Sequence, residues 1–143
     1  MKKANLNIIA QESLKQVAEF IKECEDISRT LYSRADVLTV DNYTTFENKL
    51  VGMYTFINTQ YKKLSSLKLI EKTDYFNNLK ARAAIEHTNF HSMEASKEAD
   101  SHVSDLETAE ALLSGYVESI YQLILTCRQR TYQVRREEHV TKF

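Results

Sequence analysis

Three histidines and two glutamates in the second half of the chain have the residue types and spacing that could bind a metal ion. They are His87, His91, Glu94, Glu98 and His102. Their steps of four, three, four and four would place all five on one face of a continuous helix. Two histidines four residues apart can share a metal ion. However, the stretch lacks the Glu-x-x-His arrangement of di-iron bundles, and no glutamate between the histidines offers a metalloprotease base. A solvated polar face explains the pattern equally well, so we expect no metal and no cofactor.

The sequence contains no motif for nucleophilic or acid–base catalysis. No serine lies in a Gly-x-Ser-x-Gly elbow, and no histidine adjoins Cys24 or Cys127. Neighbouring carboxylates such as Glu137 and Glu138 fall on polar helical faces, where they favour solubility and helix formation. Both cysteines fall on apolar stripes, so we interpret them as small buried hydrophobic residues, with a disulfide between them as the alternative. We therefore expect a protein that is not an enzyme.

Two clusters of basic residues have the composition of a nucleic-acid surface. The first lies near the middle of the chain and comprises Lys62, Lys63, Lys68 and Lys72. The second lies near the C-terminus and comprises Arg128, Arg130, Tyr132, Arg135 and Arg136. Cationic side chains neutralise phosphates, and a tyrosine ring offers a face on which an unpaired base can stack. Cations near a helix C-terminus also complement the helix dipole, which is the simpler interpretation of the second cluster.

Charge is balanced over the whole chain but unevenly distributed along it. The sequence holds 19 Lys plus Arg against 20 Asp plus Glu. Residues 44–82 hold seven basic and three acidic residues, 83–120 hold one basic and eight acidic, and 121–143 hold five basic and two acidic. In antiparallel helices the acidic stretch can pair with the basic ones, within the chain or between subunits. Such pairing is the alternative to a nucleic-acid surface.

The composition favours long helices. The chain has no proline and two glycines among 143 residues. Proline blocks helix interiors and glycine weakens them, so a chain that lacks both has few places to end a helix. We predict an all-α fold of about four long amphipathic helices, in an antiparallel bundle or as extended hairpins, forming a single domain over residues 1–143.

No apolar run approaches the ~20 residues that a membrane span needs. The first residues, Met1-Lys2-Lys3, precede a mixed amphipathic stretch rather than the apolar core of a signal peptide. We therefore expect no membrane partner and a cytoplasmic location, which is the host cytoplasm if the protein is viral.

Hydrophobic residues spaced by three and four predict the first two helices. The first covers about residues 5–32, and a connector without this period follows over 33–42. The second is predicted to begin near Thr44, because Thr44 and Glu47 have the spacing of a capping box. It is predicted to end at a turn or break within residues 65–73, where polar residues interrupt the pattern.

The same reasoning predicts two further helices. Thr73 is the expected N-cap of the third helix, which runs into a polar stretch over 94–102 that is either an exposed helix or a loop. The last helix is the clearest, and Ser104 and Glu107 have capping-box spacing at its start. Several apolar seams run at heptad-like spacing, and helices this long leave apolar surface for a second subunit, so we expect a homo-oligomer.

Near the C-terminus, Arg130-Thr131-Tyr132-Gln133-Val134-Arg135 form an Arg-x-aromatic-x-aliphatic-basic pattern at the end of the last predicted helix. This segment resembles the UvsY-type recombination mediators of tailed phages, small helical proteins that close a long helix with such a pattern. Upstream, Met53-Tyr54, Tyr61-Lys62-Lys63-Leu64 and Leu79-Lys80-Ala81-Arg82 resemble the basic, tyrosine-bearing middle of that family. The order of these features matches over the C-terminal two-thirds of the chain, while the N-terminal helix has no counterpart.

The resemblance implies a non-enzymatic homo-oligomer that binds single-stranded DNA without sequence preference. It implies that the protein helps a recombinase displace single-strand-binding protein, which makes both proteins expected partners. The two basic clusters would then supply phosphate contacts, and Tyr132 a stacking platform. The alternative is a helical protein-binding assembly factor, such as a virion component or an inhibitor of a host system.

Overall fold

A computed structural model describes residues 1–141, which form four α-helices. They are α1 (Lys3–Ser33), α2 (Val40–Ile85), α3 (Ser92–His102) and α4 (Ser104–Thr141). These residues contain no β-strand. The prediction of an all-α, bundle-type fold is confirmed. None of these helices has an apolar stretch long enough to cross a membrane.

Contacts divide the chain into two compact helical units. Unit 1 consists of Met1–Lys15 and Gln60–Leu113, and unit 2 consists of Gln16–Thr59 and Ser114–Phe143. Helices α1, α2 and α4 contribute residues to both units, whereas α3 belongs to unit 1 alone. The single domain over residues 1–143 stays a prediction.

Unit 1 buries aliphatic side chains from α1, α2 and α4 together with small residues from α3. Leu6, Leu64 and Leu106 are almost completely shielded from solvent. Ala95 and Ala99 of α3 are buried as well, and they lie four residues apart on one face of this short helix. The stretch 94–102, for which exposed helix and loop were the alternatives, is therefore a helix with one buried face.

Unit 2 is a bundle of segments from α1, α2 and α4. Side-chain pairs Phe20–Phe56 and Glu23–Lys49 show that α1 and α2 are antiparallel, because the number rises on one helix as it falls on the other. The same test applied to Glu47–Arg128 and Tyr54–Tyr121 shows that α2 and α4 are antiparallel. Within this unit α1 and α4 therefore run parallel.

The buried residues of α2 follow a heptad-like spacing. They are Tyr43, Leu50, Met53, Ile57 and Leu64. Steps of seven, three, four and seven keep these side chains on one seam of the helix, as the sequence pattern predicted. The Tyr43 hydroxyl donates a hydrogen bond to the carbonyl oxygen of Ala35 at 3.2 Å, so its polar end is satisfied.

The two cysteines are buried and free. Cys24 lies 3.6 Å from the sulfur of Met53, and Cys127 is completely shielded from solvent. Burial raises the pKa of each thiol to about 11. The interpretation of both cysteines as small hydrophobic core residues is confirmed.

The predicted start of the second helix is wrong, because α2 begins at Val40, before Thr44. The backbone N–H of Thr39 donates a hydrogen bond to Asn42 Oδ1 at 2.9 Å, and the backbone N–H of Asn42 donates one to Thr39 Oγ1 at 3.3 Å. These reciprocal bonds form a capping box. Asn42 takes the position where glutamate or glutamine is usual, so the expected sequence signature was absent.

The predicted break within residues 65–73 is also wrong, since α2 continues to Ile85. Ser66 and Thr73 are exposed, while Leu64 is buried and Leu67 is half-buried. Polar residues on the outward side of a long helix are compatible with its continuation. Thr73 therefore lies inside α2 and caps no helix.

The end of α2 depends on a histidine in the left-handed conformation. His87 has φ of 54°. The N–H of Thr88 donates to the carbonyl oxygen of Ala83 at 3.0 Å, and the N–H of His87 donates to that of Ala84 at 3.4 Å. This pair of bonds is the Schellman motif, in which glycine normally holds the left-handed position. Because histidine replaces glycine, composition gave no sign of this turn.

The predicted start of the last helix at Ser104 is confirmed, but its predicted capping box is wrong. The Ser104 hydroxyl donates to the carbonyl oxygen of Ser101 at 2.9 Å. The N–H of Glu107 donates to the carbonyl oxygen of Val103 at 3.0 Å. The tight junction between α3 and α4 thus satisfies the amide that a serine cap would otherwise take.

Candidate nucleic-acid interface

An exposed stripe of α4 in unit 2 brings tyrosines and arginines together. We call it the outer stripe, and it comprises Tyr121, Leu125, Arg128, Tyr132, Arg135 and Arg136. Steps of four, three, four and three lead from Tyr121 to Arg135, and Arg136 follows Tyr132 by four, so all six lie on one side of the helix. Every member is exposed, and Tyr132 is 67% exposed. The adjacent side of α4 carries the buried residues Ile120, Ile124 and Cys127.

Arg130 does not belong to the outer stripe. It follows Arg128 by two residues, which is about 200° around an α-helix. Its side chain is half-buried, unlike those of Arg135 and Arg136. The C-terminal cluster predicted from composition is therefore divided between two sides of α4.

Arg128 is engaged by a carboxylate of α2. Its Nε donates to Oε1 of Glu47 at 2.7 Å, and this hydrogen bond raises the pKa of the guanidinium. Beside this pair, the rings of Tyr54 and Tyr121 lie with their centroids 6.2 Å apart at 44°. Tyr121 was not among the residues predicted for this surface. The only signal for it is the helical spacing that relates Tyr121 to Tyr132.

Two lysines of the middle cluster are engaged by acidic residues within unit 1. Lys68 Nζ lies 2.5 Å from Oε2 of Glu110, a carboxylate oxygen that is itself buried. The pKa of Lys68 is raised, and the largest cause of this shift is the hydrogen bond to Glu110. Lys72 forms an ion pair with Asp100 of α3. These contacts are the within-chain charge pairing that the charge distribution offered as an alternative.

Four other cations of the two clusters face solvent without such a partner. Lys62 and Lys63 are exposed on the unit 1 segment of α2, and Arg135 and Arg136 are exposed near the end of α4. None of these four forms an ion pair with a carboxylate of residues 1–141. They are the cationic side chains most readily available to a phosphate.

The five metal-ligand candidates do not share one helical face. His87 and His91 lie in the non-helical segment between α2 and α3, so only the last three candidates are on α3. His102 instead stacks on Tyr75 at a centroid distance of 4.4 Å, with Nε2 3.6 Å from a carboxylate oxygen of Glu71. Residues 1–141 contain no group of three or more potential ligands placed to hold a metal ion.

Comparisons of the chain with protein-family models, with curated proteins and with solved structures find no match. The assignment of function therefore starts from the surfaces described above. Among them, the outer stripe combines exposed rings with the cations Arg135 and Arg136, unpaired within residues 1–141, on one helix.

Proposed function

We propose that this protein is a non-enzymatic accessory factor of phage-type recombination that binds single-stranded DNA and helps to load a recombinase. The observation that carries the proposal is the outer stripe of α4, where tyrosines alternate with arginines. Unpaired bases stack on tyrosine rings whatever their identity, and arginines neutralise the phosphates between them. Such a surface binds without sequence preference. The partners are single-stranded DNA, the recombinase and single-strand-binding protein, in the host cytoplasm.

The geometry of the stripe suits an extended strand. Tyr121 and Tyr132 are eleven residues apart, which corresponds to about 16 Å along an α-helix. Arg128 lies between them, and Arg135 and Arg136 lie beyond Tyr132. Because Arg128 already donates to Glu47, the two later arginines supply most of the electrostatic attraction.

A single stripe offers few contacts, so the proposal includes self-association. Leu69 and Ile70 are large aliphatic side chains that stand exposed on the unit 1 segment of α2. Exposed apolar patches are typical of protein–protein contact. Several stripes in one assembly would raise the affinity for a long strand through effective concentration, and Lys62 and Lys63 would add phosphate contacts.

Fluorescence anisotropy with a labelled oligo-dT tests the proposal. We expect binding at ~50 mM salt that weakens at least tenfold at ~200 mM salt, because phosphate contacts release counterions. The double variant Arg135→Glu/Arg136→Glu should lose most of the affinity. The matched control is Lys15→Glu/Lys22→Glu, which makes the same charge change at exposed positions of α1. Equal loss in both variants, or no binding at ~50 mM salt, would contradict the proposal.

A second candidate function is that of a helical protein-binding assembly factor, a virion component or an inhibitor of a host system. The observation that favours it is the engagement of Lys68, Lys72 and Arg128 by carboxylates of the same chain. Basic residues used in this way serve to hold helices together. Absence of oligo-dT binding, with intact folding, would favour this candidate.

A further inference from the structure

A groove of about 480 Å³ opens on unit 2 between the parallel helices α1 and α4. Its apolar lining includes Ile21 of α1 and Tyr116, Ile120 and Leu123 of α4. Ile120 is buried and the other three are half-buried, so part of this apolar lining is accessible to a partner. This surface is separate from the outer stripe, whose members do not line the groove.

Two hydroxyl groups in the groove need no hydrogen-bond partner from a bound protein. The Ser119 hydroxyl donates to the carbonyl oxygen of Gly115 at 2.9 Å, and the Thr126 hydroxyl donates to that of Gln122 at 2.9 Å. Both hydroxyls are thus satisfied by their own helix. Ser28 and Ser119 are also small, which lets another backbone approach closely. An apolar side chain could cover this surface without leaving either hydroxyl unpaired.

The position of the groove fits a helix. The described part of unit 1 contains segments of four helices, whereas that of unit 2 contains segments of three. Two parallel neighbours with an apolar cleft between them present the ridges and grooves into which a further helix packs. An amphipathic helix would place side chains at i, i+3 or i+4, and i+7 in the cleft.

The charged residues of the groove indicate what kind of helix would bind there. Within residues 1–141 the charged residues that line the groove are Glu25 on α1 and Glu118 on α4, one on each wall. Both carboxylates are exposed, and no lysine or arginine lines the groove with them. A helix whose apolar seam is flanked on both sides by basic residues would complement these walls, whereas an acidic helix would be repelled.

We propose that this groove docks a basic amphipathic helix of a partner protein, with its aliphatic seam on Ile21, Ile120 and Leu123 and its cations against Glu25 and Glu118. The inference does not depend on DNA binding. It gives the chain a second binding surface, which recognises protein.

The test uses the full chain and two synthetic helical peptides of about 18 residues that share one leucine seam. One peptide has lysines on both flanks of the seam, and the other has glutamates. By fluorescence anisotropy at ~50 mM salt, we expect the lysine peptide to bind at least about tenfold more tightly. Glu25→Lys/Glu118→Lys should reverse that preference. The matched control Glu12→Lys/Glu19→Lys, with the same charge change outside the groove, should keep it.

A second variant locates the binding. Ser119→Phe adds a ring at an exposed position in the cleft and should abolish lysine-peptide binding while leaving the circular dichroism spectrum unchanged. Failure of both peptides to bind, or equal binding of the two, would overturn the proposal. If the chain self-associates and Ser119→Phe disrupts that self-association, the groove binds a second copy of the chain. This result would also overturn the proposal. The outer-stripe variants should lose oligo-dT binding and keep peptide binding. This result would separate the proposal of DNA binding by the stripe from that of helix docking in the groove.

Discussion

The ion pair between Lys68 and Glu110 gives the sharpest test of the packing in unit 1. Replacement of Lys68 by methionine leaves a carboxylate with one buried oxygen and no cation. Loss of one partner costs about 3–5 kcal/mol in a fully buried pair and about 0–1 kcal/mol in a surface pair. The side chains here are 28% and 14% exposed, between these limits, so we expect a loss of about 2 kcal/mol.

Urea unfolding followed by circular dichroism measures this loss as a lower midpoint with an unchanged slope. The control is Lys63→Met, which removes an exposed lysine of the same helix and should cost less than about 0.5 kcal/mol. A double-mutant cycle with Glu110→Gln should show a coupling energy of about 1–2 kcal/mol. Equal stability of Lys68→Met and Lys63→Met would refute the reasoning.

The pair also predicts a dependence on pH. The pKa of Lys68 is raised above its ordinary value of 10.5 by Glu110, so the folded state favours the protonated amine. Its stabilisation is therefore fully present below pH 10.5 and is lost as pH rises through the raised pKa. The difference in unfolding free energy between the wild type and Lys68→Met should stay constant from neutral pH up to pH 10.5 and should shrink above pH 10.5. A difference that does not change at high pH would contradict this.

Three further predictions concern local structure. His87→Gly should raise the free energy of unfolding by up to about 1 kcal/mol, because glycine adopts the left-handed conformation without the penalty of a side chain; destabilisation in urea unfolding would contradict the Schellman assignment. Thr39→Ala should lower the free energy of unfolding by about 1 kcal/mol, because it removes the capping box. Thr44→Ala, inside α2, should not have this effect. Equal losses in the two variants would argue against a cap at Thr39. Cys24 and Cys127 should react with a thiol reagent at pH 8 only as fast as the protein unfolds. Both thiols are buried, and each has a pKa of about 11. Rapid labelling of the native protein would contradict that burial.

The long-range architecture was predictable because apolar residues recur every three or four positions. This spacing predicted α1 and α4 closely, and the shortage of proline and glycine predicted the fold class. The errors at the two ends of α2 have a common cause, which is that unusual residues perform standard structural roles there. Asn42 serves in a capping box in place of glutamate, and His87 ends a helix in place of glycine.

The candidate site was predictable in composition and only partly in arrangement. Helical spacing alone separates Arg130 from Arg128, so that division could have been read from the sequence. The proximity of Tyr54 to Tyr121 could not, because it depends on the register of α2 against α4. That register is set by many packing contacts distant in sequence, and it also brings Glu47 to Arg128.

The central claim is that the outer stripe of α4 binds single-stranded DNA, and two tyrosines of matched exposure test it most directly. Tyr132 lies on the stripe and is 67% exposed, while Tyr32 lies at the end of α1 and is 68% exposed. In oligo-dT anisotropy titrations at ~50 mM salt, Tyr132→Ala should weaken binding by about 1–3 kcal/mol, which is roughly five- to 150-fold. Tyr32→Ala should leave the affinity unchanged. Equal effects of the two substitutions, or no binding by the wild type, would contradict the account.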